Sequence, residues 1–469
     1  MTAWDIPLRP YQLEGVQFLR QHDRAFLGDE MGLGKSCQLI RASTGRTLVV
    51  APAMVVDSGT WSHEIEKWGD DPGRFTVASY SSLTTRRKTA GGGTAPTATL
   101  RDELAGNWDT LVLDEAHYIK NPSANRTQAV VSLSKLSDRV YMASGTPIPN
   151  WPYELFVPLQ ILFPAEAKAG QRLGSKWRWI REWFHTYASP YRAGGTDIGS
   201  LKGCTLDCKE RDPLDPCVHY REFVKANFQG RFLQRLRDDV LTDLPPLTVD
   251  SVTLPMTPRQ DREYRSMSKD YIASTDDGAV IAWSAASKST NLDRITTGLG
   301  VLTGPDYSDS NKLDMLREDL SNRYRPTVVV AHYRHSVHAA AAVAEDLGKT
   351  VAVVCGDTPP AERKWAVTEF QAGNIDVLCG SLDVISEGLT LTAADMLIQI
   401  ETSYRPSRNQ QVKRRIHRIG QVRPCTVREY ISVRRNGANC LDGNKRALVA
   451  EKTDTQMRTL SAARLKELL

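Results

Sequence analysis

Short runs of apolar, largely β-branched residues punctuate the chain, and several stop at a proline, a glycine or a polar cluster. In the first third they are "RTLVVAP" (46–52), "WDTLVLDEAHYIKNP" (108–122) and "RVYMASGTPIPN" (139–150). Between 327 and 400 they are "TVVVAH", "TVAVVCG", "IDVLCGS" and "MLIQIE". The runs are continuous rather than alternating, so the strands they predict are covered on both faces, as in a parallel sheet. Helical stretches separate them, "SCQLIRA" after a glycine turn being one. The expected class is α/β with two parallel sheets. In "KWRWIREWFHTY" (176–187), Trp177, Ile180, Phe184 and Tyr187 recur at helical spacing and predict a packed face. Tryptophans among basic residues would also suit a base-stacking platform. "TRRKTAGGGTAPTAT" (85–99) reads as a surface loop with a basic shoulder, and the segment after Tyr430 as a helix-prone, mildly basic tail.

Candidate chemistry gathers at the ends of the predicted strands. "AFLGDEMGLGKSCQLI" (25–40) has the parts of a phosphate-gripping loop, with Asp29 where the strict pattern has glycine. Gly32 and Gly34 permit the backbone to curl round phosphates, Lys35 neutralises the terminal ones, and the Ser36 hydroxyl suits magnesium. Position 29 only begins the turn, so an aspartate is tolerable there. In open α/β sheets ligands bind beyond the carboxyl ends of the strands, which places Asp114 and Glu115 of "LVLDEAH" on the nucleotide's side. Asp114 suits the magnesium shell, and Glu115 the attacking water. A third strand runs into Ser144, Gly145 and Thr146, a small hydroxyl-bearing turn able to sense a nucleotide.

Size and composition narrow the class. A chain of 469 residues exceeds one ordinary core, and 41% hydrophobic with 25% charged residues is typical of a globular protein. No apolar run long enough for a membrane span is present, and the first residues lack a signal-peptide pattern, so an intracellular, cytoplasmic setting is expected. The net charge of +5 says little alone, but seven arginines and one lysine fall between Tyr404 and Arg428 with no acidic residue. Of eight cysteines, five are scattered and read as reduced thiols. Cys204, Cys208, Cys217 and His219 lie within "GCTLDCKERDPLDPCVH" (203–219) and form either a tetrahedral zinc set or a polar loop with free thiols. The C-x-H spacing is tighter than that of common fingers.

The set "LRPYQLEGVQFL", "GDEMGLGKS", "LDEAH", "SGTP" and "QVKRRIHRIGQ" resembles the Swi/Snf-type ATPases of helicase superfamily two. In that family "DEMGLGK" is the usual phosphate loop, so Asp29 marks a specialised version. The likeness runs in order from about Leu8 to Tyr430, and "GLTLTAAD" is most like the annealing-helicase branch. The resemblance implies two RecA-like lobes with helical protrusions between them and a C-terminal helical brace. It implies ATP and magnesium as ligands, with nucleotide contacts from Gln12, Asp29 and Gly388. It also implies that Arg415 and Arg418, three apart and so on one helical face, are arginine fingers. A nucleic-acid strand would be held through its phosphates by Pro52, Ser79 and Tyr80 on the first lobe and by His332, Gly380, Thr390 and Thr392 on the second. The chain departs from the family at Tyr404-Arg405-Pro406, Arg414 and Glu387.

The expected organisation is a first lobe over 1–155, a protrusion and connecting segment over 156–250, a second lobe over 251–435 and a brace over 436–469. The expected function is a DNA-dependent ATPase, with duplex or branched DNA as partner and a monomeric core. An RNA or single-strand helicase and a nucleotide-gated clamp with little turnover stand as alternatives.

Overall fold

Parallel pairing dominates both halves of the computed structural model, which describes residues 7–88, 94–148, 151–189, 194–204, 208, 217–241, 244–386, 389–418 and 420–464. The chain divides into two compact units, 1–242 together with 452–469, and 243–451. Residues 156–242 fall in the first unit, and the terminal segment divides at Lys452.

The main sheet of the first unit has β1 (Arg24–Leu27), β2 (Thr47–Ala51), β3 (Phe75–Ser79), β4 (Trp108–Leu113), β5 (Ser137–Ala143) and β6 (Phe232–Leu233). They form one parallel sheet in the order β6-β1-β5-β4-β2-β3. β2 is buried along its whole length, as its unbroken apolar run predicts. Because β1, β5 and β4 are neighbours, the segments that follow them emerge side by side at one edge. The protrusion is packed internally through aromatics: Trp179 lies 5.7 Å from Phe184, and Trp183 5.4 Å from Phe223. The buried Asn227 accepts from the Trp179 indole N–H at 2.8 Å and from Arg172 at 2.8 Å.

The second unit has β7 (Leu247–Pro255), β8 (Thr327–Ala331), β9 (Val351–Val354), β10 (Val377–Ser381), β11 (Met396–Gln399) and β12 (Cys425–Val433), in the parallel order β7-β12-β11-β8-β10-β9. The alanine-rich helix Arg334–Asp346 buries Ala339, Ala340 and Ala344. Two such sheets with their helices are the two RecA-like lobes expected.

Two local expectations are corrected. In 176–187 the helix spans only Lys176–Trp183, and the chain turns to a strand at Phe184. Trp179, Ile180 and Phe184 are buried while Trp177 and Tyr187 are exposed, so the supposed four-residue face is not one face. The stretch read as a loop is a hairpin, with Thr84–Lys88 antiparallel to Thr94–Leu100; residues 89–93 lie outside those described.

Candidate functional site

The glycine loop begins where β1 ends. Gly32 and Gly34 take φ of 87° and 71°, the left-handed region that a side chain resists. A Cβ on Gly34 would also come within 2.5 Å of the Gln12 amide nitrogen. Gln12 is held in turn by the Arg9 N–H at 2.9 Å and donates to the Leu33 carbonyl at 3.2 Å. Its amide thus lies against the loop. Helix Lys35–Ala42 starts directly after Gly34, so Lys35 and the half-buried Ser36 occupy its first turn. The Lys35 ammonium donates to the Asp29 carbonyl at 2.9 Å. A Cβ on Gly145 would lie 3.3 Å from that ammonium, so the turn after β5 reaches the loop.

Asp114 and Glu115 follow β4. Asp114 accepts from the indole N–H of Trp61, in helix Thr60–Trp68, at 3.0 Å and from the Glu115 N–H at 2.9 Å. Glu115 adopts φ 50° and ψ 53°, a strained conformation for a non-glycine residue. Its carboxylate accepts from the Ser144 hydroxyl at 3.0 Å and meets His117 Nδ1 at 3.2 Å. Ser144 also lies 3.2 Å from His117 and accepts from the Thr146 N–H at 3.1 Å. The acidic motif and the hydroxyl turn therefore form one hydrogen-bonded unit. Burial, reinforced by the neighbouring Glu115 charge, pushes the Asp114 carboxyl up. Burial acts on Glu115 as well, but the His117 contact, the Lys35 charge and the Ser144 hydroxyl outweigh it and hold Glu115 below the usual carboxylate range. Glu115 is the more acidic member of the pair.

Asp29 is a correction to an expected nucleotide contact. Its side chain is fully buried and accepts from Arg235 Nε at 3.0 Å, from the Arg235 backbone N–H at 3.1 Å and from Gln38 at 3.2 Å, with the other guanidinium arm at 2.5 Å. Arg235 extends the segment that pairs as β6 beside β1, and the Glu30 N–H donates to its carbonyl at 3.0 Å. An aspartate replaces glycine here because the loop's entrance is pinned to a residue 206 positions downstream. Removing one partner strands a buried charge. Asp29→Ala or Arg235→Ala is thus expected to destabilise the first unit by about 3–5 kcal/mol, read as a lowered midpoint in denaturant unfolding; a loss below about 1 kcal/mol would contradict the anchor role.

In the second unit, helix Pro406–Lys413 ends before the two candidate fingers, so Arg415 and Arg418 lie in the following turn and share no helical face. Arg415 is 4% exposed; its guanidinium donates to the carbonyls of Ser386 and, at 3.3 Å, Leu389. Arg418 donates to the Thr390 hydroxyl at 3.0 Å. Gln421 donates to the carbonyls of Ala394 and Ile416 at 2.8 and 2.9 Å, closing the turn. Gly388 and Glu387 lie outside the described residues.

Among the expected strand contacts, His332 is exposed and its backbone N–H donates to Glu401 at 2.6 Å. Thr390 and Thr392 are half-buried, and Thr392 accepts from Gln371 at 3.1 Å. Ser79 is buried with its hydroxyl tied to Ser81 and Ser82 at 2.9 and 3.0 Å, and Pro52 is buried at the head of helix Ala53–Asp57. Tyr80 and Gly380 occupy core positions. The Tyr80 ring is buried on Tyr118 and its hydroxyl donates to the Asp114 carbonyl at 2.8 Å. Gly380 sits inside β10, where a Cβ would come within 2.6 Å of Ile385.

Sequence reasoning passed over Trp61, His117 and Arg235, although His117 lies within the "LDEAH" motif itself. Only the fold gives their contacts. Cys204, Cys208 and Cys217 are brought together, with His219 beside them.

Comparison with known proteins places these observations. The SNF2-related domain matches residues 11–298 and the helicase conserved C-terminal domain matches residues 311–420. The DNA annealing helicase and endonuclease ZRANB3 of Mus musculus is 26% identical, over 98% of this chain and 41% of its own length. The SWI/SNF-related matrix-associated actin-dependent regulator of chromatin subfamily A-like protein 1 homolog of Caenorhabditis elegans is 26% identical, over 88% of this chain and 57% of its own. The chain thus spans well under two thirds of these relatives. Among solved structures, the Sulfolobus solfataricus SWI2/SNF2 ATPase core in complex with dsDNA is similar at 20% identity and a TM-score of 0.38, covering 99% of this chain and 96% of that one. With a domain match across more than half its length, and with the phosphate loop, the acidic pair and the hydroxyl turn at one sheet edge, this chain belongs to the SNF2-related family of helicase-type ATPases.

Proposed function

We propose that this chain couples ATP hydrolysis to movement along, or remodelling of, duplex or branched DNA. The observation that carries the reading is the linkage of Glu115, His117 and Ser144 beside Lys35: a carboxylate kept ionised, oriented by two partners and placed next to a phosphate loop. In this reading Gln12 selects adenine, the backbone around Gly32 and Gly34 cradles the phosphates, and Lys35 neutralises them. Ser36 and Asp114 offer the hard hydroxyl and carboxylate oxygens that would hold magnesium, and the ion would offset phosphate charge there. Glu115 orients the attacking water and receives its proton. Arg415 and Arg418 supply guanidinium groups to the phosphates from the second lobe, so that ATP favours closure and hydrolysis releases it. The departures at Tyr404-Arg405-Pro406 and Arg414 bear on that coupling.

The name of the ZRANB3 relative, a DNA annealing helicase, supports DNA as the partner. The proposed contacts are to backbone phosphates, from His332, Thr390, Thr392 and the chain near Pro52 and Ser79, with Tyr80 and Gly380 contributing only through their backbone. Such binding is independent of sequence and falls steeply with salt. Among the described residues no helix is long and apolar enough to cross a membrane.

The test is steady-state phosphate release with blunt duplex, forked DNA, single-stranded DNA and RNA. Duplex or forked DNA is expected to raise turnover at least about tenfold and to lose most of that stimulation as salt rises from about 50 to 200 mM. Equal turnover with and without every nucleic acid would overturn the motor, and stronger stimulation by RNA would move the chain to the helicases of single strands.

A further inference from the structure

The cysteine and histidine cluster of the first unit takes no part in the ATPase reading. Cys204 follows the strand Thr196–Leu201, its N–H donating to the Leu201 carbonyl at 3.2 Å. Cys217 caps the helix Val218–Phe228, and His219 stands in that helix's first turn. The sulfurs of Cys204, Cys208 and Cys217 lie within 4.8 Å of one another, Cys204 and Cys217 being 4.0 Å apart. His219 Nδ1 is 3.8 Å from the Cys208 sulfur and 3.6 Å from that of Cys217. A tetrahedron with Zn–S of about 2.3 Å and Zn–N of about 2.0–2.1 Å has edges of about 3.8 Å between sulfurs and about 3.5 Å from sulfur to nitrogen. The Cys204–Cys217, Cys208–His219 and Cys217–His219 separations are close to those edges.

The tight C-x-H spacing is explained by the helix start. Two residues apart inside a helix point to opposite sides. Cys217, however, is the cap, with extended φ of −65° and ψ of 163°, so its side chain is free to turn back toward His219. Gly203 makes the other accommodation: its φ is 77°, and a Cβ there would come within 2.6 Å of the imidazole Cδ2. The backbone passes directly against the ring.

We propose that Cys204, Cys208, Cys217 and His219 bind one structural zinc ion, and that this ion fastens the terminal helix to the first unit. Three thiolates and an imidazole favour zinc over the hard cations, and the three thiols release their protons as they ligate it. The fastening runs through Cys208, whose carbonyl accepts from Arg458 of helix Leu441–Arg464. Arg458 is buried and also holds Asp454 at 2.9 Å. A three-thiolate, one-imidazole zinc centre carries a net negative charge, which the adjacent guanidinium complements.

The whole chain, purified reduced and without chelator, is expected to hold zinc at a ratio near one per chain by elemental analysis. Cobalt(II) added to the chelated protein should give the intense visible bands of a tetrahedral thiolate site. Cys204→Ser with Cys217→Ser should cut bound zinc to below about a tenth, and metal removal should speed amide exchange in 452–464 about tenfold or more while leaving 327–400 unchanged. Arg458→Ala separates the two parts, since it should speed that exchange with the zinc ratio intact. Reduced protein with under about a tenth of an equivalent of zinc and no cobalt bands would overturn the site, as would zinc retained by the double serine variant. Slow exchange at 452–464 in the metal-free chain would overturn the fastening.

Discussion

Glu115→Gln is expected to lower ATP turnover by about 10²–10⁴-fold while leaving nucleotide affinity nearly unchanged. The amide keeps the size of the side chain and an oxygen able to accept from Ser144, so the loop around it has no reason to collapse. What it loses is the charge that receives a proton from water. The partners seen around Glu115 sharpen the expectation. Ser144 and His117 hold the carboxylate from two sides, so Ser144→Ala leaves the base present but less fixed and costs turnover more modestly than Glu115→Gln. Lys35→Ala is expected to behave differently, weakening nucleotide binding and turnover together, because in its proposed role the ammonium would meet the ground-state phosphates as well as the transition state. Single-turnover phosphate release with a fluorescent-nucleotide titration separates these cases. Turnover of Glu115→Gln within about threefold of the parent would remove Glu115 from the base role.

Much of this architecture was legible because parallel strands buried on both faces are written as unbroken apolar runs. Thr47–Ala51 and Thr327–Ala331 could hardly be anything else. The edge strand Leu247–Pro255 and its neighbour Cys425–Val433 were missed for the converse reason: their burial alternates, and charged residues interrupt them. At Thr84–Leu100, threonine-rich strands beside glycines resembled a linker, yet Thr85 and Thr97 pair across the hairpin at 2.6 Å. The aromatic stretch misled through period, since a helical count continued past Phe184 after the backbone had become a strand. Within the site, spacing located Lys35, Asp114 and Glu115, whose chemistry is local. It could not locate the partner of Asp29, because a buried ion pair across 206 positions leaves no short-range pattern. The same holds for Trp61 against Asp114, which meet only because β2 and β4 are neighbours in the sheet.

Arg418→Ala is the second variant with a large expected effect: turnover at saturating DNA falls by about 10³–10⁵-fold, equivalent to about 4–7 kcal/mol of transition-state stabilisation. The two arginines should not respond alike. Arg418 reaches the Thr390 hydroxyl and is partly open to solvent, so its loss should leave the second unit's unfolding midpoint in place. Arg415 is buried on the carbonyls of Ser386 and Leu389, and its loss leaves those acceptors without a donor. Arg415→Ala is therefore expected to lower both turnover and the stability of the second unit, the latter by about 1–3 kcal/mol. Lysine replacements separate charge from shape. A lysine at 418 restores the positive charge but not the planar fork, so it should recover less than about a tenth of the lost rate if two parallel hydrogen bonds to phosphate are what the arginine supplies. Turnover of Arg418→Ala within about threefold of the parent, with DNA affinity unaltered, would leave the first lobe hydrolysing ATP on its own. The second lobe would then serve only to grip the strand.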